Sequence, residues 1–171
     1  MADSHPSAAQ IHPFDGLGTA FARGIPLVNL EAKDAMIKIL LVEDSKFLRL
    51  ATERALTRAG YGVTSAVDGE EALLMARQKI PDLILLDMLL PKMSGPDVLK
   101  ALKQDPDTMM IPVVVMTGMS QKNAPRLQQD GALAFLEKSA LELDKGSEKL
   151  LSALKKILDL LPNEQARTTS A

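Results

Sequence analysis

Leu83-Ile84-Leu85-Leu86-Asp87 is an unbroken apolar run closed by a carboxylate. With no polar residue inside it, it reads as a strand buried on both faces, as the strands of parallel sheets are. The same figure recurs on either side. Upstream, Ile37-Lys38-Ile39-Leu40-Leu41-Val42 ends in Glu43-Asp44. Downstream, Val113-Val114-Val115-Met116 ends in Thr117, and Leu133-Ala134-Phe135-Leu136 is followed, after Glu137, by Lys138. In an open α/β sheet, ligands bind beyond the carboxyl ends of the strands, where strand order switches. These runs therefore aim three carboxylates, a hydroxyl and an ammonium at one cleft.

Helical patterns alternate with the runs. After the first strand (37–43), a helix starts near Ser45, carries Leu48, Ala51, Ala55 and Leu56 at helical spacing, and stops at Gly60. A short second strand lies near 61–66, and Asp68-Gly69-Glu70-Glu71 reads as a capping box opening the second helix. The third strand is 82–87. A third helix begins at Ser94-Gly95-Pro96-Asp97, with Pro in its first turn. The fourth strand is 112–117, and a weak fourth helix near 121–130 is interrupted early by Pro125. The fifth strand is 133–137. The fifth helix buries Leu150, Leu151, Leu154, Ile157, Leu158 and Leu161 and is stopped by Pro162. Right-handed crossovers with helices on both faces predict an α/β, doubly wound, five-stranded parallel sheet in the order 2-1-3-4-5, a three-layer sandwich.

Two segments fall outside this alternation. Residues 1–35 mix His, Pro and Gly with scattered apolar residues and no sustained period, so they read as a flexible N-terminal extension with a short helix near 27–34. Residues 162–171 read as a flexible polar tail. The folded unit is expected at 36–161.

The chain has 171 residues, of which 46% are apolar and 25% charged, a globular balance. Its net charge of −2 gives no electrostatic support for nucleic-acid binding. No apolar run approaches the roughly 18 residues of a membrane span. The N-terminus has no basic segment followed by an apolar one, as a secretory signal would. The absence of Cys excludes disulfides, thiolate catalysis and zinc-thiolate sites. The expected setting is the cytoplasm, with no nucleic-acid or membrane partner.

Glu43, Asp44 and Asp87 are expected together, and like charges ~4 Å apart repel by about 4 kcal/mol at an effective dielectric near 20. Mg²⁺ fits the need to offset this. It takes oxygen ligands, keeps waters, and binds through one or two carboxylates plus a phosphoryl group. Asp44 and Asp87 are read as direct ligands, Glu43 as a ligand through water, and the carbonyl of Leu89 completes the set. Asp87, on the middle strand, is the nucleophile towards phosphorus. Lys138 places a positive charge against the transferring group, Thr117 donates its hydroxyl, and Gly118 permits close approach.

In order and at strand ends, these residues make the chain resemble a response regulator receiver domain of the CheY-like family, over about 37–160. The resemblance is carried by Ile39-Leu40-Leu41-Val42-Glu43-Asp44-Ser45, Pro81-Asp82-Leu83-Ile84-Leu85-Leu86-Asp87-Met88, Pro91-Lys92-Met93-Ser94-Gly95, Val115-Met116-Thr117-Gly118 and Phe135-Leu136-Glu137-Lys138. It implies a flavodoxin/CheY-like fold. It also implies that Asp87 is the phosphoacceptor for a sensor histidine kinase or phosphotransfer protein, with Mg²⁺. The domain would catalyse only its own phosphorylation and dephosphorylation. Thr117 and Phe135 would reorient and switch the face of helix 4, strand 5 and helix 5 towards a downstream protein, or into a phosphorylation-dependent homodimer. Three departures stand out. Ser139 replaces the Pro that usually follows the lysine. The switch aromatic, Phe135, has no hydroxyl. Leu89 and Met119, which flank the path of the hydrolytic water in the family, are apolar here, which predicts slow self-dephosphorylation.

The competing reading is a scaffold or adaptor of the same fold that works without phosphorylation. An aspartyl-phosphate phosphatase of the haloacid dehalogenase type would need an Asp at the position of Leu89. A nucleotide-binding site would need a Gly-rich phosphate loop that the chain lacks. The stretch after the fifth helix is too short for an output domain, so output is expected through a partner protein.

Overall fold

The computed structural model describes residues 11–13, 36–118, 124–138 and 148–161. In chain order the elements are β1 (Ile11–Pro13), β2 (Lys38–Val42), α1 (Lys46–Arg58), β3 (Gly62–Ala66), α2 (Gly69–Lys79), β4 (Leu83–Asp87), α3 (Gly95–Gln104), β5 (Val113–Thr117), α4 (Ala124–Gln129), β6 (Ala134–Glu137) and α5 (Glu148–Asp159).

Three helices start where a side chain satisfies an amide that the helix leaves without a partner. Ser45 Oγ accepts from the Leu48 amide at 3.4 Å. Asp68 Oδ1 accepts from the Glu71 amide at 2.9 Å, while Glu71 Oε2 accepts from the Val67 amide at 2.8 Å. Ser94 Oγ accepts from the Asp97 amide at 3.4 Å, with Pro96 in the first turn. The stop at the end of α1 is Gly60, whose φ of 93° lies in the left-handed region.

β2 through β6 are the five expected strands. They pair in parallel in the order β3-β2-β4-β5-β6, which is the predicted 2-1-3-4-5. The period-2 pattern of the strands divides the core between two faces. Leu40, Val42, Ile84, Leu86, Val113, Val115 and Phe135 pack against Ala72 and Ala76 of α2, Val98, Leu99 and Leu102 of α3, and Leu127 of α4. Ile39, Leu41, Leu83, Leu85, Val114, Met116, Ala134 and Leu136 pack against Leu56 of α1 and Leu150, Ala153, Leu154 and Ile157 of α5. Three layers result, and all five residues of β4 are buried.

The structure adds one edge strand to the expected five. Within the N-terminal extension, Ile11–Pro13 forms a sixth strand, β1, antiparallel to β6 with Ile11 opposite Leu136, His12 opposite Phe135 and Pro13 opposite Ala134. The sheet is therefore six-stranded and mixed at one edge. α4 is a single short helix, Ala124–Gln129, as its Pro125 and thin apolar stripe suggest. The expected helix near 27–34, Met119, Ser139 and the tail 162–171 lie outside the described residues.

Candidate functional site

The parallel pairing brings the ends of β2, β4, β5 and β6 to one end of the sheet. Carboxylate oxygens of Glu43, Asp44 and Asp87 lie within 4.8 Å of one another. Glu43 and Asp87 are buried and Asp44 is exposed, so the group sits at the rim of the cleft with one member open to solvent. Lys138, just past β6, bridges the two buried acids: its Nζ lies 2.7 Å from Glu43 Oε2 and 2.8 Å from Asp87 Oδ2. Lys138 thus reaches the site with Ser139, not Pro, behind it. The expected placement of Glu43 changes in emphasis, because its carboxylate is already engaged by Lys138 and by the Ser45 amide at 3.2 Å.

Burial pushes the Glu43 carboxyl above its ordinary value, and Asp87 adds to this, while the hydrogen bond from Lys138 opposes it. Burial alone would push the Lys138 ammonium down. The hydrogen bonds and charges of Asp87 and Glu43 outweigh that and hold it above its ordinary value.

Asp87 Oδ1 accepts from the Leu89 amide at 3.0 Å, so the residue after next orients this carboxylate. The Leu89 side chain itself is 59% exposed. Thr117 ends β5 and is buried, opposite Glu137 of β6. At Gly118, beside Thr117, an added Cβ would meet nothing within 4 Å among the described residues. Phe135 lies in the core, in the cluster that holds Val115 and Leu127.

Two residues that hold the site were given no site role in the sequence reading. A Cβ on Gly95 would collide with the Asp87 carbonyl oxygen and with Met88 Cα. The start of α3 is therefore seated directly against the backbone of Asp87 and Met88, with the Gly95 amide donating to the Met88 carbonyl at 3.2 Å. In sequence Gly95 stood in the helix start Ser94-Gly95-Pro96-Asp97 and in the segment Pro91–Gly95 that carries the family resemblance, neither of which announces a contact with Asp87. Arg49, one turn into α1, donates from Nη1 to the Glu43 carbonyl at 3.0 Å and to the Asp44 carbonyl at 3.3 Å, fixing the acidic turn. Its signal was a basic residue about one turn past the Ser45 cap.

Two buried acids under one cation, with an exposed third acid beside them, form an oxygen-donor cluster of the kind that can hold a hard divalent cation. The chain is similar to known proteins. Residues 39–151 match the response regulator receiver domain family. Over 103 residues the chain is 42% identical to the response regulator PleD of Caulobacter vibrioides, an overlap of 59% of this chain and 22% of that protein. Over 85 residues it is 41% identical to the alkaline phosphatase synthesis transcriptional regulatory protein PhoP of Bacillus subtilis, covering 50% of this chain and 35% of that one. The chain spans well under half the length of either relative. Among solved structures, Vibrio cholerae CheY4 superposes with a TM-score of 0.65 at 30% identity, covering 72% of this chain and 99% of that one. The phosphorylated cyanobacterial phytochrome response regulator RcpA does so with a TM-score of 0.62 at 32% identity, covering 71% and 93%. With this family match over residues 39–151 and its five parallel strands, the chain belongs to the response regulator receiver domain family of two-component systems.

Proposed function

We propose that the chain is a phosphoacceptor switch of a two-component phosphorelay, with Asp87 as the residue that carries the phosphoryl group. The observation that carries this reading is the Lys138 ammonium held between Glu43 and Asp87, with Asp44 beside them. A phosphohistidine on a sensor histidine kinase or phosphotransfer protein is the donor. An Asp87 carboxylate oxygen forms the new O–P bond as the P–N bond breaks. The bonding pair returns to the imidazole, which leaves as the neutral ring once protonated.

Three carboxylates against one ammonium leave the cleft with two surplus negative charges, which fits a hard divalent cation. Glu43, Asp44, Asp87 and the Leu89 carbonyl would hold Mg²⁺, which when bound offsets the repulsion between the acids and the incoming phosphoryl oxygens. Lys138 supplies the opposing charge on the β6 side. Thr117 donates its hydroxyl to a phosphoryl oxygen, and Gly118 leaves the space that such a group needs. Phe135, packed with Leu127 of α4, links the site to the face formed by α4, β6 and α5, on which a downstream protein reads the phosphorylated state. The receiver unit is 36–161, with 1–35 and 162–171 as extensions.

The test is incubation with acetyl phosphate and Mg²⁺, read by intact mass beside Asp87→Ala and a chelator. A labile phosphoryl increment lost in both controls is expected. A folded protein that takes up no phosphoryl group under these conditions would move the chain to the adaptor reading.

A further inference from the structure

The outer edge of β6 is the place where the sheet ends in the predicted five-stranded fold, and here it is covered. β6 lies between α4, whose Leu127 packs with Phe135, and α5, whose Leu150, Ala153 and Leu154 pack in the cluster of Ala134 and Leu136. Left bare, this strand presents a row of unpaired N–H and C=O groups in the middle of the proposed output face. The three residues of β1 pair along it in antiparallel register.

The cap is itself a poor template. It is three residues long, so its outer edge offers little backbone to a further strand. Very short edge strands are one of the devices by which natural sheets blunt their edges. β1 therefore exchanges an open edge on β6 for one that recruits little.

The edge also has a defined alternative occupant. It accepts an antiparallel strand, as β1 demonstrates. A twofold axis beside β6 would set the β6 strand of a second copy antiparallel to this one, the self-complementary arrangement of a closed dimer. The tether favours the cap over that copy. Four strand spacings separate β1 from β2 in the sheet, roughly 19 Å. Residues 14–37 are long enough to span that distance, so β1 competes as an intramolecular partner with an effective concentration on the order of millimolar.

We propose that Ile11–Pro13 is a built-in cap that closes the β6 edge against pairing with a second copy of this chain, so that its displacement converts the protein from monomer to dimer. The proposal deepens the output-face reading above by naming what guards that face, but its readouts do not depend on phosphorylation.

The experiment compares the full unphosphorylated chain with Ile11→Pro, which removes a further N–H donor from the cap, and with Ala8→Pro as a control upstream of Ile11–Pro13 in sequence. Amide hydrogen exchange across Ala134–Glu137 reports the pairing, and sedimentation across a micromolar concentration series reports the mass. The parent and Ala8→Pro are expected to be monomeric with slow exchange. Ile11→Pro is expected to exchange about tenfold or more faster at the outward-facing amides of β6 and to enter a monomer–dimer equilibrium. Unchanged exchange in Ile11→Pro overturns the cap. Faster exchange without any rise in mass overturns the second copy as occupant, and a parent that dimerises as strongly as Ile11→Pro overturns the closure. Acetyl phosphate labelling of the same samples reports separately on Asp87, so failure of the phosphoacceptor reading is visible without affecting these outcomes.

Discussion

The Lys138 ammonium lies 2.8 Å from Asp87 Oδ2, so the cation that follows the last parallel strand is held on the carboxylate that ends the middle one. The two residues are brought together by strand pairing alone, through β5, which pairs with both β4 and β6. Because the raised pKa of Lys138 sits above its unfolded value, its contribution to stability is fully present below pH 10.5 and is lost as pH rises through the folded value. At neutral pH the ammonium is therefore charged. In the proposed function it would compete with a divalent cation for the same two acids.

Lys138→Met tests that competition. Removing the ammonium leaves Glu43 and Asp87 buried and facing each other, and breaking a buried pair in this way is expected to cost about 3 kcal/mol in urea unfolding without metal. The site is then one charge more negative, so calorimetry should find Mg²⁺ bound more tightly than in the parent, and Mg²⁺ should restore part of the lost stability. Phosphorylation by acetyl phosphate should nevertheless slow, since one of the two cations facing the phosphoryl group is gone. Weaker Mg²⁺ binding in the variant would show that Lys138 organises the acids rather than competing for them.

Gly95→Ala should be far more damaging than its size suggests. The new methyl group would be driven against the Asp87 carbonyl and Met88 Cα, backbone atoms that cannot rotate away. A loss of about 2 kcal/mol or more is expected from overpacking, along with slower phosphorylation because the strain falls on the acceptor's own peptide. Gly118→Ala is the companion, since its Cβ would enter open space. Equal unfolding midpoints for the two variants would contradict the close approach of α3 to the acceptor.

Much of this arrangement was legible in the sequence because buried parallel strands are written as unbroken apolar runs, and Ile39 to Val42, Leu83 to Leu86 and Val113 to Met116 are such runs. Glu43, Asp44, Asp87, Thr117 and Lys138 stood out because each is a polar residue at or just beyond the end of one. β1 left no such trace. Ile11-His12-Pro13 is too short for a period, contains a proline, and gains its place from backbone pairing with a strand far along the chain. Gly95 and Arg49 were hidden for a related reason. A close approach between α3 and the Asp87 backbone, or a guanidinium reaching back to the carbonyls of its own helix entry, exists only once the elements are packed.

Lys103, away from the site, gives a pH dependence of opposite sign to that of Lys138. Its ammonium donates to the Met109 carbonyl at 3.0 Å and the Ile111 carbonyl at 2.7 Å, and burial pushes it down to about 8. A neutral amine keeps two N–H groups, enough for both carbonyls, so losing the proton need not break either bond. Between pH 8 and pH 10.5 the folded protein releases this proton before the unfolded chain does. The unfolded state then binds more protons, and this term makes stability rise with pH. Tyr61 and Lys138, both raised, pull the other way, so the quantity to measure is the difference in unfolding free energy between the parent and Lys103→Met. That difference should shift in favour of the parent across the window, by at most about 3 kcal/mol. A difference that stays flat with pH would mean the Lys103 ammonium keeps its ordinary affinity for the proton.

The lifetime of the phosphorylated state should be governed by Leu89. Its amide holds Asp87 Oδ1 while its side chain stands 59% exposed beside the acceptor. Hydrolysis of an aspartyl phosphate needs a water positioned in line with the P–O bond, and an aliphatic side chain offers that water no hydrogen bond. Leu89→Asn adds an amide with both donor and acceptor and leaves the backbone contact to Asp87 intact. Loss of the phosphoryl mass increment after removal of acetyl phosphate should become several-fold faster in the variant, with uptake and unfolding midpoint little changed. Leu89→Ala separates steric from polar effects: it opens the same space without supplying a partner for water. If Asn and Ala accelerate the loss equally, access alone limits hydrolysis. If neither does, the protection of the aspartyl phosphate comes from elsewhere in the cleft.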